Sequence, residues 1–176
     1  MDDVDVVATN PPFSLLGQYI KTMLTNGRDL IAIVNMMCLT YKDIMPFFLK
    51  GMLHECSAFN GGTKYKVFHP KEHETPVSSV ALTTLNTHST RKMPSKTFAE
   101  LNAAGRLRRD DNTGELEVRF VRDVPIDLKG TCLVPISAGI STPFLQRYEI
   151  LGLGKNVVVD GKPTFTRIRI QKRTQQ

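Results

Sequence analysis

A short β-branched run halted by two consecutive prolines leaves few folds open to the start of this chain. Val4-Asp5-Val6-Val7-Ala8-Thr9 leads directly into Asn10-Pro11-Pro12-Phe13. The apolar run reads as a strand buried on both faces, as in a parallel sheet. Neither proline has an N–H to donate, so the strand stops abruptly at its carboxyl end. Ser14 to Asn26 then predicts an amphipathic helix, with Leu15, Leu16, Tyr19, Ile20, Met23 and Leu24 on one face and Asn26-Gly27 as the stop. Asp29 to Asn35 follows as a second buried strand. Together they predict a β-α-β unit with a right-handed crossover. Open α/β sheets collect their ligands at the carboxyl ends of such strands. Here that end offers an amide, a stiff turn and an aromatic ring.

These residue types suit methyl transfer to an exocyclic amino group on a planar base. Such a nitrogen is a poor nucleophile because its lone pair is delocalised into the ring. Two acceptors gripping its two N–H bonds push it toward a tetrahedral, nucleophilic state. The Asn10 side-chain oxygen and the Pro11 carbonyl are the candidate acceptors. Pro12 would rigidify the turn, and Phe13 would stack on the base. A base within a duplex reaches such a site only when flipped out. Asn-Pro-Pro also closes ordinary turns; the strand before it and the helix after it favour the chemical reading.

At Asn10-Pro11-Pro12-Phe13 the chain resembles the amino-methylating DNA methyltransferases, and further blocks narrow the likeness to the EcoRI-type adenine-specific family. These blocks are Asp29 to Asn35, Leu39 to Pro46, Val80 to Asn86, Val134 to Ile136, Tyr148 to Gly152 and Asp160 to Ile170. Two departures stand out. The family carries a tryptophan near the position of Leu82, whereas this chain has none. The family's glycine-rich donor loop precedes the Asn-Pro-Pro-Phe strand, and no glycine-rich strand-to-helix turn occurs in these 176 residues. The resemblance implies an α/β fold, the C-terminal half of a Rossmann-like methyltransferase sheet followed by a basic, strand-rich region. It implies S-adenosylmethionine as donor, N6 of adenine in double-stranded DNA as acceptor, and a restriction–modification setting. The donor-binding part is expected upstream or on a separate N-terminal chain. Three alternatives stay open: an amino-methyltransferase acting on RNA or on protein glutamine, a noncatalytic DNA-binding remnant, and one subunit of a split enzyme.

Charge supports a polyanion partner. The net charge is +6, yet residues 1–60 hold four Lys/Arg against six Asp/Glu, while residues 61–176 hold nineteen against eleven. A basic half beside a near-neutral one suggests nucleic acid. Arg91 and Lys92 in a polar loop, the Arg106/Arg108/Arg109 cluster, and Arg167 with Arg169 are the candidate nucleic-acid contacts. A domain boundary is expected near Leu85, giving a partial catalytic domain over 1–85 and a target-recognition region over 86–176.

The rest of the chain yields weaker signals. Thr40 and Asp43 predict a cap for a helix over about 41–50, with a kink or a short first turn at Pro46. Tyr65 to Phe68 and Val77 to Leu85 read as strands, and Leu116 to Val121 as a half-exposed one. Asn112-Thr113-Gly114 predicts a turn. Asp160-Gly161 predicts a hairpin whose second arm, Thr164 to Gln171, packs Ile168 and Ile170 and turns Arg167 and Arg169 outward. His69 and His73 lack a helix and a third ligand, and His54-Glu55-Cys56 lacks the paired cysteines of a deaminase. Gly152-Leu153-Gly154 precedes no helix, which excludes a nucleotide loop. No metal is expected. Three scattered cysteines predict a reducing, cytoplasmic setting, and no apolar run is long enough to span a membrane.

Overall fold

A computed structural model describes residues 5–12, 14–56, 63–67, 73–77, 79–87, 92–111, 113–154, 157–159, 162–165 and 167–174. The chain forms two compact units, Met1–Phe48 with Met52–His88, and Leu49–Gly51 with Ser89–Gln176. Both combine helices and sheet.

In the first unit β1 (Val6–Thr9), α1 (Leu16–Thr25) and β2 (Asp29–Asn35) form the expected β-α-β unit, with β1 and β2 parallel from Val6↔Asp29 to Thr9↔Ala32. A 3-10 turn over Met36–Thr40 leads into α2 (Met45–Leu49), and then come β3 (His54–Glu55) and β6 (Ser79–Thr83). The sheet order is β1-β2-β6-β3, with β6 antiparallel to both neighbours. A parallel core with antiparallel additions is common in α/β sheets. β4 (Thr63–Val67) and β5 (His73–Val77) pair as a separate antiparallel hairpin.

Leu16, Ile20 and Leu24 bury a stripe of α1, while Leu30, Ala32 and Val34 bury the alternate positions of β2. Three expectations are corrected here. β1 is not buried on both faces: Val6 and Ala8 are exposed and Val7 and Thr9 half-buried, because among the described residues β1 is an edge strand paired with β2 alone. Leu15 precedes the helix and is exposed. Thr40 and Asp43 do not cap a helix. Thr40 Oγ1 donates to the Met37 carbonyl, and Asp43 accepts from Lys21 Nζ at 2.9 Å. Pro46 sits in the first turn of the five-residue α2, where its missing N–H is tolerated.

The second unit begins with α3 (Phe98–Ala103), started by a Thr97/Glu100 capping box. β7 (Leu107–Arg109) and β8 (Leu116–Val118) form a hairpin closed by Gly114 at φ 67°. β9 (Thr131–Pro135), α4 (Thr142–Arg147), β10 (Tyr148–Leu153) and β13 (Arg167–Lys172) complete the five-stranded sheet β10-β13-β9-β8-β7. β11 (Val157–Val159) and β12 (Lys162–Phe165) pair as a two-stranded hairpin. The predicted second arm is therefore divided into β12 and β13. β8 is buried throughout rather than half-exposed, since it lies inside the sheet between β7 and β9. One face of the sheet is apolar, with Leu116, Val118, Cys132, Val134, Ile168 and Ile170 all buried. Phe144 stacks on Tyr148 at 4.6 Å between centroids. Gly154 donates to the Arg167 carbonyl, and a Cβ there would lie 2.7 Å from Leu133 Cδ2 and 3.2 Å from the Arg167 carbonyl oxygen. Close packing explains this glycine.

Candidate active site and basic surface

The proline-rich turn follows the carboxyl end of β1. Pro11 is buried, while Asn10 and Pro12 are exposed. The Pro12 carbonyl accepts from Leu15 N–H at 3.0 Å, so the turn folds straight into α1. Phe13 lies outside the described residues. Asn35 ends the neighbouring parallel strand, and its side-chain oxygen accepts from Met37 N–H at 2.9 Å, capping the 3-10 turn. Asn10 makes no side-chain hydrogen bond among the described residues. Two asparagines thus stand at the carboxyl ends of adjacent parallel strands. One is engaged with its own backbone, and the other, beside a buried proline, is engaged by no described residue.

The strand-to-helix junctions of this unit run through Asn10-Pro11-Pro12 after β1 and through Asn35-Met36 after β2. Neither is glycine-rich, so these residues do not form a donor-phosphate or donor-carboxylate cradle of the glycine-loop kind. Among the described residues no cluster of three His, Cys, Asp or Glu could hold a metal. No helix of the described residues is long and apolar enough to cross a membrane. His54 begins β3, and burial pulls its pKa below the ordinary histidine value. The Cys38 and Cys132 thiols are buried and pushed up to about 12.

The candidate nucleic-acid residues separate into distinct environments, and Arg91 lies outside the described residues. β13 and β8 flank β9, and Arg169 and Glu117 both align with Leu133, so side chains on this face reach each other diagonally across β9. Arg167 therefore meets Glu117 at 3.1 Å, and Arg169 meets Glu115 through two hydrogen bonds of 2.8 and 2.9 Å. Arg108 pairs with the same Glu117 oxygen. The Glu117 and Arg167 side chains are only 3% and 6% exposed. The expected basic face of β13 is thus a charge-paired one. Burial lowers the Arg167 pKa, as does Arg108, against the opposing pull of Glu117. Arg169 holds the Glu115 carboxyl below the usual range, and Glu115 in turn raises Arg169.

Arg109 and Arg169 line an open cleft of about 740 Å3 together with Phe98, Glu115, Asp127 and Lys129. Arg106 and Lys92 line another of about 490 Å3 with Lys96, Arg122 and Asp123. Arg106 Nη2 donates to both Asp123 carboxylate oxygens, at 3.3 and 3.1 Å. Arg119, Phe120 and Arg122 were not singled out by the sequence reading. The signal available was an aromatic residue closely flanked by arginines, Arg119-Phe120-Val121-Arg122.

Comparison with known proteins decides the family. The profile described as "Adenine-specific methyltransferase EcoRI" matches residues 1–176. The chain belongs to this EcoRI methylase family. It is also 23% identical over 200 residues to the Type II methyltransferase M.EcoRI of Escherichia coli, covering 98% of this chain and 59% of that protein. It therefore spans well under two thirds of this curated relative's length. No solved structure matches. The resemblance seen in the motif blocks and the family match agree.

Proposed function

We propose that this chain is the acceptor-side portion of a DNA methyltransferase that transfers a methyl group from S-adenosylmethionine to N6 of adenine. The observation that carries the proposal is the free amide of Asn10 beside the buried Pro11, at the carboxyl end of a parallel strand in a chain of this family. The Asn10 side-chain oxygen and the Pro11 carbonyl accept the two N–H bonds of the target amine. Pro12 fixes the turn, and Phe13 stacks on the flipped base. The amine loses its proton after attack, so no further base is needed. The parallel β1-α1-β2 unit is the building block of a Rossmann-like sheet and supports that fold assignment for residues 1–85, with residues 86–176 as the DNA-contacting region.

S-adenosylmethionine supplies the methyl group. It is held by a part of the enzyme outside these residues, either a preceding segment or a separate chain, in keeping with the greater length of M.EcoRI. The enzyme works in the cytoplasm on double-stranded DNA.

The test is Asn10→Ala in the enzyme completed by its donor-binding part, with methylated nucleosides from digested DNA measured by mass spectrometry. One oriented hydrogen bond to the reacting group contributes about 3 kcal/mol, so turnover should fall at least about 100-fold. Asn10 is exposed and unengaged, so thermal stability should stay within about 0.5 kcal/mol. Full activity of the well-folded variant, or methylation of cytosine instead of adenine, overturns the reading.

A further inference from the structure

Phe120 is a large, 40% exposed aromatic side chain encircled by cations. The guanidinium carbons of Arg106, Arg119 and Arg122 lie 5.5, 5.3 and 5.0 Å from its ring centroid. All three are within cation–π range. Arg106 and Arg122 also line the adjoining cleft of about 490 Å3, which Lys92 and Lys96 complete. The one carboxylate in that cleft, Asp123, is buried and bound by Arg106. Nearby Glu100 is committed to the capping box with Thr97. Among the described residues no carboxylate pairs with Arg119 or Arg122.

Three like charges around one ring repel each other. The ring quadrupole offsets part of that repulsion but cannot neutralise it. A ligand carrying closely spaced negative charge and several acceptor oxygens would complete the arrangement. Guanidinium groups bind phosphate oxygens in bidentate fashion. Duplex DNA presents a phosphate charge about every 1.7 Å along its axis. By contrast, Arg108, Arg167 and Arg169 are each held by a glutamate, and Arg109, Arg147 and Arg173 each donate to a backbone carbonyl.

We propose that Arg106, Arg119 and Arg122, gathered on Phe120 and flanked by Lys92 and Lys96, form the principal DNA-phosphate contact of the second unit. Phe120 acts as a positioning residue. Its ring holds the guanidinium groups together, and they engage the backbone. The proposal rests on the reading of the protein as a DNA methyltransferase and adds to it where the DNA backbone is gripped.

The experiment is titration of fluorescent duplex DNA with the 176-residue chain over a range of salt concentrations. The wild-type chain should bind with a steep salt dependence. Arg119→Ala with Arg122→Ala should weaken binding by more than 10-fold at low salt and lower the log–log salt slope by about 1.8, since each lost phosphate contact removes about 0.9. Arg119→Lys with Arg122→Lys should retain most of the slope. Phe120→Leu should weaken binding several-fold with an unchanged melting temperature, and Phe120→Tyr should restore it. Lys21→Ala, removing a cation of the first unit already held by Asp43, provides the comparison and should change the slope little. If the wild-type chain binds DNA but Arg119→Ala/Arg122→Ala leaves affinity and slope intact, this surface is refuted while the methyltransferase reading stands. If the wild-type chain shows no salt-dependent binding at all, the surface is refuted as well. The adenine methylation assay with Asn10→Ala judges the enzymatic reading separately.

Discussion

Glu117→Gln should be among the most damaging single changes available in the second unit. The Glu117 carboxylate sits on β8 with its side chain 3% exposed, and it holds Arg167, 6% exposed, at 3.1 Å. Arg167 Nε already lacks a hydrogen-bond partner. Neutralising Glu117 leaves a guanidinium buried without its counter-charge. Breaking a buried pair in this manner costs about 3–5 kcal/mol, because the desolvation of the remaining ion is no longer offset. The retained amide oxygen still accepts a hydrogen bond, which places the expectation near the lower end, about 3 kcal/mol. Arg108, whose side chain is 59% exposed, loses the same carboxylate but adds at most about 0.5 kcal/mol. Glu115→Gln is the internal standard. Its partner Arg169 is 38% exposed and can turn to water, so about 1 kcal/mol or less is expected. Urea titration followed by far-UV circular dichroism gives both numbers, fitted to the transition of the unit that contains the mutation. Replacing the pair together, Glu117→Leu with Arg167→Met, should recover most of the loss, since an apolar pair carries no desolvation cost. Equal losses for Glu117→Gln and Glu115→Gln, or no recovery in the apolar pair, would refute the argument from burial.

Acid should weaken the fold through Glu115 and Glu100. Both carboxyls lie below their ordinary value of 4.5 in the folded chain, Glu115 chiefly through its hydrogen bonds from Arg169 and Glu100 through Thr97. A depressed folded pKa stabilises above the unfolded value and is lost as pH falls through the folded one. Melting temperature should therefore drop below about pH 4.5, and less steeply in Glu115→Gln. A pH profile unaltered by that substitution would contradict the assignment. Gly154→Ala should destabilise by about 1–3 kcal/mol through overpacking, since its Cβ would meet Leu133 Cδ2 at 2.7 Å and Arg167 Cβ at 3.1 Å. A melting temperature equal to wild type would show that Leu133 and β13 yield more readily than this packing implies.

The first unit was legible where local rules and tertiary packing agree. Asp29–Asn35 occupies its predicted bounds because an uninterrupted apolar run between Gly27 and the 3-10 turn has few other uses. Two prolines end β1 and cannot do otherwise. The misreadings have definite physical sources. The Leu116-Glu117-Val118-Arg119 alternation suggests one wet face, but Glu117 is buried because Arg167 arrives from across β9, fifty residues later in the chain. Thr40 and Asp43 have the chemistry of caps, yet Lys21 takes Asp43. The β4–β5 pairing places Pro76 within a strand opposite Lys64, and a proline there argues locally against any strand. α3 carried an unused signal, Thr97 followed three residues later by Glu100, and its capping box forms as that pattern requires.

The same contrast bears on the candidate sites. Residue counts reveal a surplus of positive charge in the second half but not where it remains unmatched. Arg106, Arg108, Arg167 and Arg169 all contact carboxylates, whereas the cations gathered on Phe120 include two that no described carboxylate meets. Pairing depends on strand register and on diagonal reach across β9: Arg169 and Glu117 both align with Leu133, yet Arg167 bonds Glu117 and Arg169 bonds Glu115, and no local pattern states this. Asparagine poses the corresponding problem in the first unit. Asn10 and Asn35 look alike in sequence, each closing a strand. The structure distinguishes them, since Asn35 caps Met37 at 2.9 Å while Asn10 stands unengaged beside a buried proline. A strand-ending asparagine can bond to its own backbone, as Asn35 does. The proposed role of Asn10 as an acceptor for the target amine uses an exposed amide that no described residue engages, and the Asn10→Ala assay decides it.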